Sequence, residues 1–143
     1  VDYFVVKPYS QHKMSLTHAY ENTVTQVPKI RTNNTQFIFR KAAYETQEIS
    51  YDRCQATPIF WAYIMASGDV YSCSAYLLDE RFRLGNIKTH GFKEIWQGAK
   101  REENWHFVRQ ELDIHECRVN CRMNAANIYL NDLVKGVPGQ NFI

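Results

Sequence analysis

The sequence lacks any long hydrophobic run, and it lacks an excess of one charge. No apolar stretch approaches the ~20 residues that a membrane-spanning helix needs, so we expect no membrane partner. Lys and Arg number 17 against 15 Asp and Glu, a formal charge of +2. This near balance gives no electrostatic reason to expect nucleic acid or an anionic membrane as a partner. Internal repeats and low-complexity segments are absent as well, and 143 residues suffice for one compact domain with its own core.

The chain also lacks an initiator methionine and a secretory signal at its start. It opens with VDYFVVK, an apolar and β-branched run that ends at Pro8. This run predicts a strand buried on both faces, as in a parallel sheet. Because such a strand is an unusual beginning, we expect the sequence to be the C-terminal part of a longer protein, with any targeting signal upstream.

Cysteine is scarce, but its spacing is informative. There are four cysteines, an even number that a secreted protein would pair as disulfides: Cys54, Cys73, Cys117 and Cys121. The last two form a C-x3-C pair, which has poor geometry for a disulfide and good spacing for metal ligands. The pattern therefore favours metal-bound thiolates in a reducing, cytoplasmic compartment.

The first two cysteines bracket a predicted β-hairpin. A hairpin that turns at Gly68 places Cys73 opposite roughly Tyr63, whereas Cys54 lies nine residues further back, up to ~30 Å along an extended chain. The segment must therefore curl back, and Pro58 is a suitable place for the bend. Four thiolates gathered from separate loops suit tetrahedral zinc or a [4Fe–4S] cluster, and spacing alone does not choose between them.

Local patterns predict the remaining elements. TQFIFRKAAYE alternates and looks like a strand, and Gly85 with Asn86 looks like a turn. A β-hairpin is expected from about Ile59 to Leu77, followed by helices near Gly91–Leu112 and Asn124–Lys135. Gly98 divides the first helical region, and Gly136 caps the second. On that last helix, the apolar face is expected to comprise Ala126, Leu130, Leu133 and Val134.

A family resemblance rests on the words around the cysteines. GDVYSC, LGNI, FKEIW and CRMNAANIYL occur in that order between residues 51 and 135. Together with the cysteine spacing they resemble the C-terminal auxiliary-cluster region of radical S-adenosylmethionine (SAM) enzymes, the SPASM and twitch domains. The opening VDYFVVKPYSQH resembles the last barrel strand of the radical SAM domain and the connector after it.

The resemblance implies a domain organisation and an α+β fold. Residues 1–50 would be the last barrel strand and connector, and residues 51–143 a twitch/SPASM-like auxiliary cluster domain. The fold would be a β-hairpin followed by helices, with an N-terminal strand left from a partial β/α barrel. A full SPASM domain has seven cysteines and two clusters, whereas four cysteines resemble the shorter twitch form, which holds one. The C-x3-C-x2-C motif of the SAM-cleaving cluster is absent here and would lie upstream.

The resemblance also implies cofactors and a function. One auxiliary [4Fe–4S] cluster would be bound by Cys54, Cys73, Cys117 and Cys121, while SAM and a second [4Fe–4S] cluster would occupy the missing barrel. The whole protein would be an enzyme that oxidatively modifies a small-molecule or peptide substrate, with this part passing electrons to or from a substrate radical and an external donor or acceptor. The chain alone would be inactive, and its exposed first strand makes a dimer plausible. The alternative is a non-catalytic, zinc-stabilised interaction module. The sequence identifies no catalytic residues.

Several other residues have open roles. Arg122 either offsets the charge of a reduced cluster or forms a salt bridge to Glu116 or Asp132. Asn127 either hydrogen-bonds the cysteine-bearing turn or is an amide on the helix surface. Residues 9–12 would lie at the C-terminal end of the barrel strand or in a solvated loop. The three tryptophans are expected in the core: Trp61, Trp96 and Trp105.

Overall fold

The computed structural model describes residues 2–6, 34–40, 48–118 and 121–136, which form an α+β structure with two separate small sheets. The strands are β1 (Tyr3–Val6), β2 (Gln36–Phe39), β3 (Tyr63–Ile64), β4 (Asp69–Tyr71) and β5 (Arg83–Asn86). The helices are α1 (Thr57–Phe60), α2 (Phe92–Trp96), α3 (Ala99–Gln110) and α4 (Asn124–Lys135). Two short 3-10 turns are also present, Glu80–Phe82 and Ile114–Glu116. Among the described residues, no helix is both long and apolar enough to cross a membrane.

The first sheet pairs β1 with β2 in parallel, in a register that matches Tyr3 to Gln36 and Val6 to Phe39. Both predicted strands therefore exist, although the second predicted segment is described only as far as residue 40. Tyr3 is 59% exposed and Phe4 is 55% exposed, so the prediction of an exposed first strand is confirmed, and the burial on both faces that is typical of a parallel strand is not found in this chain. Two strands alone cannot cover each other's faces, because side chains alternate above and below the sheet. Residues 9–12 lie outside the described residues.

The second sheet contains the predicted hairpin in a shortened form. Gly68 turns the chain with φ of +92°, a conformation that favours glycine, and β3 and β4 pair antiparallel with Tyr63 opposite Tyr71. The prediction of continuous strands over residues 59–77 is wrong at both ends. Residues 57–60 form the short helix α1, and residues after Tyr71 follow a series of turns. Cys73 therefore lies outside the hairpin pairing.

The third strand of this sheet corrects another prediction. Gly85 and Asn86 belong to β5, which pairs antiparallel with β4, and they do not form the predicted turn. The glycine is explained by packing, because a Cβ at position 85 would lie only 3.1 Å from Cγ1 of Ile95 on α2. Its absence lets α2 approach the sheet, where Ile95 packs with Val70 and Leu84 in a small apolar cluster.

The helical predictions are largely confirmed. Gly98 separates α2 from α3, and α4 spans the predicted residues and ends at Gly136, whose φ is +76°. The predicted apolar face of α4 is wrong in part, because Val134 is 69% exposed. The buried side chains of α4 are instead Asn127 and Asn131. Polar groups are buried there because they have partners on another segment of the chain.

The main core is aromatic and lies between the second sheet and α3. The Tyr76 and Phe82 rings stack with centroids 4.2 Å apart, and Phe107 contacts Phe82 edge-on at 5.8 Å. Val108 and Leu112 complete this side of the core. The prediction that the tryptophans lie in the core is wrong. All three are only half-buried: Trp61, Trp96 and Trp105. The guanidinium of Arg101 stacks over the Trp96 ring, with Cζ 4.1 Å from the ring centroid, and forms a cation–π contact with it.

A small polar network supports the turn of the hairpin. The Asp69 carboxylate accepts hydrogen bonds from the Ser67 hydroxyl at 2.6 Å, the Arg83 guanidinium at 2.9 Å and the Asn86 amide at 3.0 Å. These three donors, the Ser67 hydroxyl first, lower the pKa of Asp69 from 3.8 to about 2. The carboxylate is therefore stabilised in its charged form in the folded protein.

We expect Asp69→Asn to lower the melting temperature at neutral pH and to have little effect below pH 2. The folded-state pKa lies below the ordinary value, so the stabilisation is present above about pH 4 and is lost as the pH falls towards 2. Thermal unfolding of both proteins across this pH range, with the metal content held constant, measures the difference. The exposed Asp132→Asn serves as the control, and an Asp69→Asn deficit that persists at pH 2 would contradict the assignment.

Candidate metal centre

The four cysteines line one cavity, although they come from three separate parts of the chain. Cys54 precedes α1, Cys73 follows β4, and Cys117 and Cys121 both precede α4. All four are free thiols, so no disulfide bond joins any of them. The rest of the wall is mostly apolar and includes Phe82, Val108, Leu112 and Met123.

Asparagines on one face of α4 hold the Cys54 segment in place. The Oδ1 atom of Asn127 accepts hydrogen bonds from the backbone N–H groups of Gln55 at 2.7 Å and Ala56 at 2.8 Å. Its Nδ2 atom lies 3.5 Å from the Sγ atom of Cys54 and donates to it. Asn127 is therefore not a surface amide, and the partner of its side chain is the segment around Cys54.

Two further asparagines on α4 extend this contact in both directions. Asn131 donates from Nδ2 to the backbone oxygen of Arg53 at 3.0 Å, and Asn124 donates to that of Glu48 at 3.2 Å. With Asn127 they stand three and four residues apart, so they lie on one face of the helix. They bind a segment more than 70 residues away in sequence, and the backbone before and after Cys54 is thereby anchored.

Tyr76 connects the second and third cysteines. Its hydroxyl lies 3.3 Å from Sγ of Cys117, and its backbone N–H donates to the carbonyl of Cys73 at 3.3 Å. Burial raises the pKa of Tyr76 far above its ordinary value, so the phenol stays protonated. When Cys117 is a thiolate, Tyr76 is therefore the donor. Cys73 itself accepts at Sγ from the backbone N–H of Ala75 at 3.4 Å.

Cys121 completes the set. Its Sγ atom accepts a hydrogen bond from the backbone N–H of Met123. Each of the four sulfurs thus has a hydrogen-bond donor, from the side chains of Asn127 and Tyr76 or from the backbone of Ala75 and Met123. Donors aimed at sulfur favour the thiolate over the thiol, which is the form that binds metal.

Burial opposes the charged form of these thiols in the metal-free protein. Desolvation raises the pKa of Cys73 to about 12, and it also raises the pKa of Cys121, where the nearby Arg118 acts in the opposite direction. The thiols of Cys73 and Cys121 are therefore neutral at pH 7 without a bound cation. A metal must displace their protons, so metal binding releases protons and weakens as the pH falls.

The donor set fits a soft metal centre. The described wall of the cavity has four cysteine thiols and no His, Asp or Glu side chain, a combination that suits zinc or an iron–sulfur cluster. The cavity volume is about 30 Å³, room for about two water molecules. Within the described ranges, no three of these ligand-type side chains are close enough together to hold a metal ion. The assignment of the four cysteines as ligands stays a prediction.

The structure also places the other candidate residues. Arg122 lies on the cavity wall, and so does Arg118, which the sequence did not single out. The exposed side chains of His90, His106 and His115 do not line the cavity. Tyr76 and Trp61 were missed as site residues because aromatic residues next to strands usually indicate a core. A spacing of three residues from Cys73 to Tyr76 was the available signal.

Comparison with known proteins agrees with this geometry. Residues 54–122 match the SPASM family, described as an iron–sulfur cluster-binding domain. The match begins at Cys54 and extends one residue beyond Cys121, so it contains all four cysteines, and it covers just under half of the chain. Searches of curated proteins and of solved structures found no significant match.

We expect Asn127→Ala to lower the free energy of unfolding by about 2–4 kcal/mol, because two backbone N–H groups lose their acceptor in a largely buried place. Urea denaturation at a fixed metal content measures this loss. Asp132→Ala, on the exposed side of the same helix, is the matched control and should change stability by less than about 0.5 kcal/mol. Equal effects of the two variants would show that the asparagine contact does not stabilise the fold.

Proposed function

We propose that this chain, whose residues 54–122 match the SPASM family of iron–sulfur cluster-binding domains, is the auxiliary-cluster part of a radical SAM enzyme. The observation that carries the proposal is the hydrogen bonding of the sulfurs: each of the four cysteines in the shared cavity accepts a bond from a separate donor. Such donors stabilise negative charge on sulfur, and this negative charge increases when a cluster is reduced.

In this proposal Cys54, Cys73, Cys117 and Cys121 hold one [4Fe–4S] cluster. Bound there, the group supplies one-electron transfer, accepting an electron from a substrate radical or passing one on. Full ligation by four cysteines leaves no open iron position for substrate, which favours electron transfer over direct substrate binding.

The surrounding side chains have separate tasks in this proposal. Phe82, Val108 and Leu112 exclude water from the sulfurs. Tyr76 stays protonated, and its hydroxyl donates a hydrogen bond to Sγ of Cys117. The Arg118 and Arg122 guanidinium groups on the wall offset the negative charge of four thiolates. The dry wall and the nearby cations act in opposite directions on the reduction potential.

The first sheet supports the larger context. Parallel strands need a long crossover connection between them, and 29 residues separate Val6 from Gln36. That connectivity is typical of β/α units, so we propose that β1 and β2 join the radical SAM barrel of a longer protein. Their exposed apolar side chains would then be covered by barrel partners, or by a second copy of the chain in a dimer.

The remaining parts of the proposal concern the whole enzyme. The upstream barrel would bind SAM and a second [4Fe–4S] cluster, and the enzyme would oxidatively modify a small-molecule or peptide substrate in the cytoplasm, exchanging electrons with an external carrier. The second candidate function is a non-catalytic zinc-stabilised interaction module. It is favoured by one observation, the small size of the cavity.

We expect anaerobically prepared protein to bind about four iron and four sulfide ions per chain. Replacing any one cysteine, for example Cys54→Ala, should lower both contents and the visible absorption of the cluster. Ser74→Ala, a change on the same cavity wall that removes no sulfur, is the control and should leave them unchanged. Zinc without sulfide, in both aerobic and anaerobic preparations, would refute the cluster and favour the interaction module.

We expect Cys117→Ala in the full-length enzyme to uncouple SAM cleavage from product formation. SAM cleavage takes place in the barrel, so 5′-deoxyadenosine should continue to appear while product falls, because the substrate radical cannot be oxidised. The measurement is the ratio of 5′-deoxyadenosine to product in a variant shown to be folded. A wild-type ratio at wild-type product yield would refute an obligatory electron-transfer role for this site.

A further inference from the structure

A groove of about 590 Å³ runs along α3 and shares no lining residue with the cysteine cavity. Its volume lies within the range that is typical of ligand-binding sites. Its aromatic and charged lining residues are Trp96, Arg101, Glu102, Trp105, His106 and Arg109. Because none of the four cysteines lines this groove, what it binds does not depend on the group that the cysteines hold.

Indole rings and guanidinium groups alternate along the groove. The Cζ atom of Arg101 lies 4.1 Å from the centroid of the Trp96 ring and 5.9 Å from that of the Trp105 ring. The Cζ atom of Arg109 lies 5.9 Å from the centroid of the same Trp105 ring. Stacking of this kind occupies the flat face of a guanidinium, whose N–H donors lie at its edge. Both cations are therefore held in place by the tryptophans before a partner binds.

The charges of the groove favour an anionic partner. With His106 neutral, its charged side chains are two arginines and one carboxylate, that of Glu102. Arg109 is exposed and forms no ion pair with any residue that the structure describes. The amides of Gln97 and Gln110 both donate and accept, so they set no preference for charge. The whole chain carries only +2, and the positive excess in the groove is therefore a local feature.

The spacing of the row indicates the shape of the partner. Arg101, Trp105 and Arg109 recur every four residues, so they lie along one side of α3 with about 6 Å between successive positions. An extended peptide presents alternate side chains on one side at nearly the same interval, about 6.6 Å. The two arginine positions are about 12 Å apart along the helix, which is further than a single carboxylate or phosphate group spans. A peptide segment matches this row better than a small anion does.

We propose that the groove binds an extended acidic segment of a partner protein, with the pattern acidic–x–aromatic–x–acidic. The two carboxylates pair with Arg101 and Arg109, and the aromatic side chain lies between them against Trp105. Arginine can hold a carboxylate through two parallel N–H bonds, and Trp and Arg are enriched among the residues that dominate protein interfaces. The inference goes beyond the proposed function and does not require a cluster.

The probe is a short blocked peptide with a glutamate on each side of a tyrosine, each separated from it by one serine. Isothermal titration calorimetry at constant metal content should show saturable binding, which weakens as salt is added because exposed charges are screened. Arg109→Gln should lower the affinity about two- to fivefold, the range for an exposed charge pair. Lys100→Gln removes the same charge from α3 outside the groove, and as the matched control it should leave the affinity unchanged.

Glu102→Gln should change the affinity in the opposite direction. It removes the carboxylate of the groove, so the glutamate peptide should bind more tightly. The side chains of Glu102 and Arg109 are both exposed, so both variants should fold like the wild type, which circular dichroism melting checks. General damage to the groove would weaken binding in both variants, whereas the proposal requires effects of opposite sign.

Three further probes define the outcomes. The same peptide with lysine in place of glutamate should not bind, and a peptide of equal composition with its two glutamates adjacent should bind more weakly than the first. Equal binding of the glutamate and lysine peptides, or an unchanged affinity in Arg109→Gln, would overturn the proposal. Tighter binding of single-stranded oligodeoxythymidine would overturn it in favour of nucleic acid, because Trp and Arg also form stacking sites for bases.

A second copy of the chain is the remaining alternative occupant. Self-association that Arg109→Gln abolishes, without binding of the glutamate peptide, would overturn the acidic partner in favour of a dimer. Sedimentation of both proteins over a range of concentrations measures this. The iron and sulfide contents decide the proposed cluster separately, so either proposal can fail while the other stands.

Discussion

The contact between the asparagine face of α4 and the segment around Cys54 is the interaction on which the site depends. Asn124, Asn127 and Asn131 bond backbone groups of residues 48–56, which contain no long regular element of their own. A short segment of this kind cannot satisfy its buried N–H and C=O groups internally. The last helix does so from its side chains, and as a result the first and last cysteines reach the same cavity.

The cysteine cavity combines two opposing influences. Donors from Asn127, Tyr76 and two backbone N–H groups favour thiolates, whereas burial favours neutral thiols. A bound cation resolves the conflict, because it replaces the protons and supplies the positive charge that the apolar wall does not. A metal bound by these thiolates would therefore also stabilise the fold of this region.

The two sheets of the described chain differ in whether their apolar side chains are covered. The second sheet, α3 and α4 enclose an aromatic core and the cysteine cavity, so this part has its own interior. The β1–β2 pair has no such interior, and its apolar side chains remain exposed. Parallel pairing across a long connection is typical of β/α architecture.

Local patterns in the sequence determined the elements that depend on neighbouring residues. Gly136 ends α4 and Gly98 separates α2 from α3, because the glycine conformation or cap acts within one turn of its own position. Gly68 made the hairpin predictable for the same reason. The cysteine spacing and the words between them also indicated the family. Only the tertiary structure decided which polar and aromatic residues form the site. The buried face of α4 is polar because its hydrogen-bond partners lie more than 70 residues away in sequence. Tyr76 is a site residue because Cys117, 41 residues later, lies against its hydroxyl. Hydrogen bonds over such separations depend on where the whole chain folds, and no local periodicity records them.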